Sequence, residues 1–284
     1  MGASSSRPGV LVIWLIVCAQ MTPALAQQRP LTVEDPETIG DGRVLVEAGI
    51  ETGENVLQPV SGLRGDRRAL PLGVSVGLGG IAELQIDGGY QWLSIDSRVE
   101  APLAPRVPPD LTETSDLVDL TLATKIRVVS EGARRPAFGV RFATRLPNAS
   151  NERGLGTDTL DFFATVLVAK TGGSVRVVGN AGVGLLTSPL AGSLQQDVLV
   201  GGLSVARAVT DHFEVVGEFA GRHAAFADEP PVGAESRGAL RAAARYTRGS
   251  WRVDAGLIVG VTDQDPDIGL TAGLTWVVDA FRAP

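Results

Sequence analysis

The sequence is short of the residues on which many folds and chemistries depend. Its single cysteine, Cys18, lies in a leader expected to be removed, so the mature chain has no means of forming a disulfide scaffold or a thiolate metal site. Only two lysines, Lys125 and Lys170, are present, there is no basic tract, and the formal net charge is −7, all of which argues against nucleic acid as a partner. Beyond residue 30 no apolar run reaches the length of a membrane-spanning helix, and no helical period lasts more than a couple of turns. The 35 glycines show no three-residue period, which excludes a collagen-like chain.

What is present begins with that leader. After Arg7 comes "GVLVIWLIVCAQMTPALAQQ", an apolar run closed by Pro23 and the small-residue pattern Ala24-Leu25-Ala26. The pattern predicts a signal peptide over 1–26, cleaved after Ala26, with an uncleaved anchor as the alternative. Residues 27–41 are expected to be a free N-terminal extension on the periplasmic side, and 42–284 a single domain.

In that domain apolar and polar residues alternate with period two, the mark of strands with one greasy face. We count about twelve, at 42–51, 72–78, 82–93, 116–130, 136–145, 158–170, 174–186, 197–206, 212–222, 237–246, 251–261 and 268–278. Long links (52–71, 94–115, 146–157, 187–196, 223–236, 262–267) interleave with short ones such as "GGI", "TGG" and "TRGS". In a closed up-and-down barrel one rim carries tight turns and the other carries loops, and strict alternation of link length predicts that all-β architecture.

The two faces decide which side is in. In "WRVDAGLIVGV", Arg252 and Asp254 share one face with glycines, opposite Val253, Ala255, Leu257 and Val259. A charge on a lipid face at mid-depth costs roughly 2–4 kcal/mol. Many charges share this register, so the polar faces are predicted to point inward, as in a transmembrane barrel. Tyr246, Trp251 and Trp276 at the turn ends, and Tyr90 and Trp92 at the loop end of theirs, match two interfacial girdles. The expected lumen-lining residues are Asp87, Lys125, Arg141, Arg145, Arg176, Glu218, Arg241, Arg245, Arg252 and Asp254. Glu214 and Glu218 precede a strand bearing Arg241 and Arg245, so cross-strand ion pairs are feasible. Arg252 and Asp254 are expected at a salt-bridged constriction near the periplasmic mouth.

The stretches "GLGTDTLDFFATVLVAKTGGSVRVVGNAGVG" (154–184), "VTDHFEVVGEFAG" (209–221) and "RYTRGSWRVDAGLIVGVTDQDPDIGLTAGLTW" (245–276), with "PLTVEDPETIGDGRVLVEAGIE" (30–51), resemble the outer-membrane barrel family of transporters associated with the MetA pathway of phenol degradation. The resemblance implies a bacterial outer-membrane barrel that transports small compounds, aromatic ones among them. One departure is that Phe281 is followed by Arg282, Ala283 and Pro284, where such barrels commonly end on an aromatic residue.

Catalytic and metal chemistry is sparse. His212 and His223 are expected at opposite ends of one strand, too far apart to share a metal. A rim hydrolase would need His223 as base, with Ser236 as its conceivable nucleophile across a loop. Asp263, Asp265 and Asp267 in "TDQDPD" are a candidate calcium turn, against an ordinary polar loop. "GLGGIA" (77–82) imitates a dinucleotide loop, but a strand follows it, which favours a hairpin turn.

The expectation is a non-enzymatic outer-membrane channel for small solutes, aromatic or hydrophobic compounds among them, passing by diffusion without a cofactor. Its partners would be outer-membrane lipid, the barrel-assembly machinery and the solute. A non-conducting structural or loop-displaying barrel is the alternative, and a barrel-embedded hydrolase the remote third.

Overall fold

A computed structural model describes residues 31–190, 195–224 and 230–281. The expected signal peptide, and the chain end beyond Phe281, lie outside the described residues. Twelve strands form a closed antiparallel barrel in which each strand pairs with its sequence neighbours and the last returns to the first. They are β1 (Arg43–Gln58), β2 (Leu63–Leu78), β3 (Ala82–Arg98), β4 (Glu113–Val129), β5 (Ala137–Arg145), β6 (Asp161–Gly172), β7 (Val175–Leu186), β8 (Gln196–Ala208), β9 (Phe213–His223), β10 (Arg237–Arg248), β11 (Trp251–Gly260) and β12 (Gly269–Asp279).

Apolar side chains of alternate residues stand outward and exposed, among them Leu72, Ile86, Phe142, Phe162, Leu203, Phe219, Leu240 and Leu257. Their opposite neighbours are buried, including the charged Glu47, Glu83, Lys125, Glu218, Arg252 and Asp254. This is a globular protein turned inside out. Closure leaves no unpaired edge, and the outward belt matches hydrocarbon, so the barrel crosses a bilayer with its strands. Trp251 and Trp276 stack across the β11–β12 ladder at 5.0 Å, and Tyr90 meets Trp92 edge-on at 4.7 Å.

One rim, which also holds the start of β1 and the end of β12, carries short turns. The β2–β3 turn is the three residues 79–81 between the paired Leu78 and Ala82, and Gly79 and Gly80 both adopt positive φ (57° and 66°), so "GLGGIA" is a tight hairpin turn. The other rim carries the loops.

Three expectations change. The expected link 52–71 is largely strand: β1 and β2 run on as a hairpin that turns only at 59–62. Its outer part, "ETGENVLQ" and "LRGDRR", lacks an apolar face because it stands clear of lipid, and so it lacks the alternation that marks a spanning strand. The 94–115 link shrinks to 99–112 and contains a 3-10 turn, Ala104–Arg106. It does not simply extend over the rim: Val107 packs with Leu63 and Leu93, and Leu103 N–H donates to Val60 O. The third change concerns the N-terminal segment, which is threaded into the barrel.

Candidate functional site: the occluded lumen

Residues 31–42 enter at the turn rim and follow the inner wall of the barrel. Asp41 accepts a hydrogen bond from Gly79 N–H, and Ile39 N–H donates to Glu83 at 2.9 Å. Glu37 pairs with Arg127, and Asp35 takes Arg176 in a fork of 2.6 and 2.7 Å. Glu34 is gripped by its backbone: its N–H donates to Asn180 Oδ1 at 2.7 Å, and its carbonyl accepts from Asn180 Nδ2 at 2.8 Å. Farthest in, Glu218 accepts the backbone N–H groups of Thr32 and Val33 at 2.9 and 2.8 Å and the Thr32 hydroxyl.

Three apolar side chains reinforce these contacts. Leu31 sits with Ala206 and Val216, Val33 with Ala137, Ala169 and Val178, and Ile39 with Leu45 and Val277. Each such burial contributes roughly 1.5–3 kcal/mol. Glycines make the room: a Cβ on Gly77 would stand 1.8 Å from Gly40 O, and one on Gly202 would stand 2.5 Å from Val33 Cγ2. Inward glycines beside charges thus house a backbone here, which is more specific than the wet interior their mixture suggests.

At the centre of the contact lies Lys125, fully buried, with Nζ 3.3 Å from both Glu34 and Glu83. Gln85 donates to both carboxylates, at 2.6 and 2.9 Å, while its own oxygen accepts from Arg141. A lysine taken from water needs this much compensation. The expected free extension is therefore corrected over its described part: its acidic side chains are matched to inward cations of β4, β5 and β7.

The expected lumen residues fall into groups. Lys125, Arg141, Arg176, Glu218 and Arg241 touch the N-terminal segment. Asp87 stands 4.0 Å from Arg141, and Arg145 pairs with Asp161. The feasible cross-strand pairs form, Arg241 to Glu218 at 3.3 Å and Arg245 to Glu214 at 3.2 Å. Arg252 and Asp254 are buried; Arg252 donates to Thr247, and Asp254 lies directly opposite Arg245. Glu34, Asp35, Glu37 and Asn180 were not foreseen, nor were Arg222 and Arg237 near the loop rim.

Above the segment a cavity of about 360 Å³ opens between β5–β10 and the loop rim, walled by Phe163, Leu167, Val200 and Ala239 and by Arg141, Arg237 and Arg241. The β1–β2 hairpin tip leans over this mouth. Val60 is buried, and a Cβ on Gly233 of the β9–β10 loop would stand 3.4 Å from it.

The remaining candidates separate. His223 Nδ1 and Ser236 Oγ do meet, at 3.0 Å, with Ser236 also accepting Ala224 N–H. Among the described residues no carboxylate hydrogen-bonds the ring, so the pair lacks the third group that orients a catalytic base. In the candidate calcium turn, Asp265 accepts from Gly238 N–H and the Thr262 hydroxyl, while Asp267 accepts from Asn55. No group of three or more metal-ligating side chains is gathered among the described residues.

Fold and site define a class: a closed, membrane-spanning β-barrel of outer-membrane type whose lumen holds its own N-terminal segment. An outer membrane channel from Pseudomonas putida F1 has the same fold, with a TM-score of 0.61 at 13% identity over 86% of this chain and 98% of that one. The translocator domain of the autotransporter NalP from Neisseria meningitidis gives 0.46 at 13% identity, over 84% and 87% of the two chains. The toluene transporter TbuX from Ralstonia pickettii gives 0.40 at 11% identity, over 86% and 92%. No protein-family model and no curated protein matches the sequence.

Proposed function

We propose that the protein is a channel of the bacterial outer membrane that passes small solutes, aromatic or hydrophobic compounds among them, by diffusion, and that residues 31–41 close it at rest. The single observation that carries this reading is the way the lumen is filled. A barrel built only as a brace gains most from an apolar interior, since a buried ion pair is weak as a source of stability. Here the filling is a separate stretch of chain held by polar contacts at Glu83, Lys125, Asn180 and Glu218. Polar contacts can be exchanged for water, so withdrawing the segment exposes only Leu31, Val33 and Ile39 and the small apolar patches they cover.

The order of events follows from the geometry. A solute passes the loop rim beneath the 59–62 tip, occupies the cavity, and moves on when the segment leaves the wall. Asp87, Lys125, Arg141, Arg145, Arg176, Glu218, Arg241, Arg245, Arg252 and Asp254 then line the route and set its charge preference. The long loops face outside the cell, and the signal peptide and barrel-assembly machinery deliver the chain to its membrane. A place in the family associated with the MetA pathway of phenol degradation agrees with this reading. The protein acts without catalysis.

Planar-bilayer recordings test it. Replacing Glu34, Asp35 and Glu37 together by Gln, Asn and Gln removes the segment's charges, and conductance is expected to rise several-fold over wild type. Equal conductance in both proteins, after gel mobility has verified folding, would refute the reading.

A further inference from the structure

On the β9–β10 ladder the inward residues pair in register as Glu214 with Arg245, Glu218 with Arg241, and Arg222 with Arg237. Two pairs are of opposite charge, and the third sets two arginines opposite each other. Like charges directly opposite on a sheet destabilise it. Arg145 adds to the repulsion felt by both.

Neutralisation at this end is incomplete. Arg222 donates to the carbonyls of Glu235 and Gly233, at 3.0 and 2.8 Å, and stands 4.0 Å from the Glu235 carboxylate. The Nε of Arg237 is buried without a hydrogen-bond partner, as are Arg145 Nε and Arg245 Nε and Nη2, but Arg145 and Arg245 each hold a carboxylate, whereas Arg237 has no ion pair among the described residues. Asp265 and Glu235 attract Arg237 without coming within ion-pair distance of it; Asp265 accepts from Gly238 and Thr262, and Asp161 holds Arg145 and Thr187. Arg237 lines the cavity above the N-terminal segment, with Arg141, Arg241 and Asn180 on its polar side and Phe163, Leu167, Val200 and Ala239 as its apolar wall. Its volume of about 360 Å³ is at the small end of ligand sites, which run from roughly 300 to 1,000 Å³.

We propose that this cavity binds a small organic anion with an apolar body, an aromatic or short-chain carboxylate, with Arg237 taking the carboxylate and Arg222 beside it. The inference rests on the lumen being the solute route and specifies what the route prefers. An unpaired guanidinium fork is the group best matched to a carboxylate. The apolar wall discriminates against small hydrated anions, and Glu34 and Asp265, which also line the cavity, discriminate against a second negative charge. Binding relieves the Arg222–Arg237 repulsion, so the site gains from the ligand what it loses at rest.

Calorimetric titration of the folded, full-length protein in detergent tests this with benzoate, benzyl alcohol and inorganic phosphate. Benzoate is expected to bind about tenfold or more tighter than benzyl alcohol, as charge-assisted hydrogen bonds allow, and tighter than phosphate. R237Q should lose about tenfold in benzoate affinity while its empty form unfolds no earlier than wild type, because a repulsion is removed. A merely structural arginine would give earlier unfolding. Equal affinity for benzoate and benzyl alcohol, tighter phosphate binding, or an R237Q protein that binds benzoate as wild type does would overturn the proposal. Liposome swelling separates it from the channel reading: carboxylate binding without solute flux sinks only the channel, and flux without preference for benzoate sinks only the anion site.

Discussion

Two parts of one lumen wall, a few residues apart on β9 and β10, are built to opposite rules. Toward the turn rim, Glu214 faces Arg245 and Glu218 faces Arg241, and Glu218 also holds the N-terminal segment. Toward the loop rim, Arg222 faces Arg237, and Arg237 has no ion pair among the described residues, whereas Arg245 and Arg241 each hold a carboxylate. Charges paired with an opposite charge at rest serve the resting structure. Charges left unbalanced beside a cavity are available to something that arrives from outside.

The largest way to break the balanced region is to remove its buried cation. Lys125→Met leaves Glu34 and Glu83 facing each other without Nζ, and breaking a buried pair costs about 3–5 kcal/mol. Urea unfolding in detergent micelles should show a loss of that size, with partial recovery when Glu34→Gln is added. Next comes Glu218→Ala, which strands the Thr32 and Val33 N–H groups and frees Arg241. Unsatisfied buried donors cost about 1–3 kcal/mol, and because that loss falls on the closed state, single-channel open time should lengthen several-fold.

The comparison itself is sharpened by two arginine substitutions on β10 with opposite expected signs. Arg245→Gln abandons Glu214 and destabilises the barrel, whereas Arg237→Gln relieves a like-charge pair and stabilises the empty barrel, each by roughly 0.2–1 kcal/mol. Equal signs in thermal unfolding would mean that the two ends do not differ.

The smallest effect is expected at Glu131, in the turn after β4. Burial pushes its carboxyl pKa up, but Thr171 N–H, Lys170 and Arg176 outweigh that and hold it below the ordinary value. A depressed carboxylate pKa stabilises above the unfolded value and ceases to do so as pH falls through the folded one. Wild type should therefore lose slightly more stability than Glu131→Gln on acidification below the usual carboxylate range, measured by thermal unfolding along a pH series.

The barrel was legible because lipid on one face and water or protein on the other force period-two alternation, which "WRVDAGLIVGV" displays along its length. Alternation failed to mark residues 52–58 and 63–71, since above the lipid no face has to be greasy. The N-terminal segment was illegible for a related reason. It is held by side chains of β3, β4, β7 and β9 and pairs with no strand, so "TVEDPETIGDG" carries no period. The available signal was complementarity: Glu34, Asp35 and Glu37 precede a barrel whose inward cations include Lys125, Arg127, Arg141 and Arg176. Arg222 and Arg237 were inside their expected strands, but their opposition depends on a register that only the folded ladder fixes.

The most direct test of the internal stopper is a reversible lock between it and the wall. Val33→Cys with Gly202→Cys places two thiols where the segment touches β8, in a chain whose only native cysteine is Cys18. Recorded in planar bilayers, the oxidised protein is predicted to be closed, and dithiothreitol is predicted to restore conductance. Equal conductance before and after reduction, with the disulfide verified by mass, would contradict the claim that residues 31–41 close the barrel.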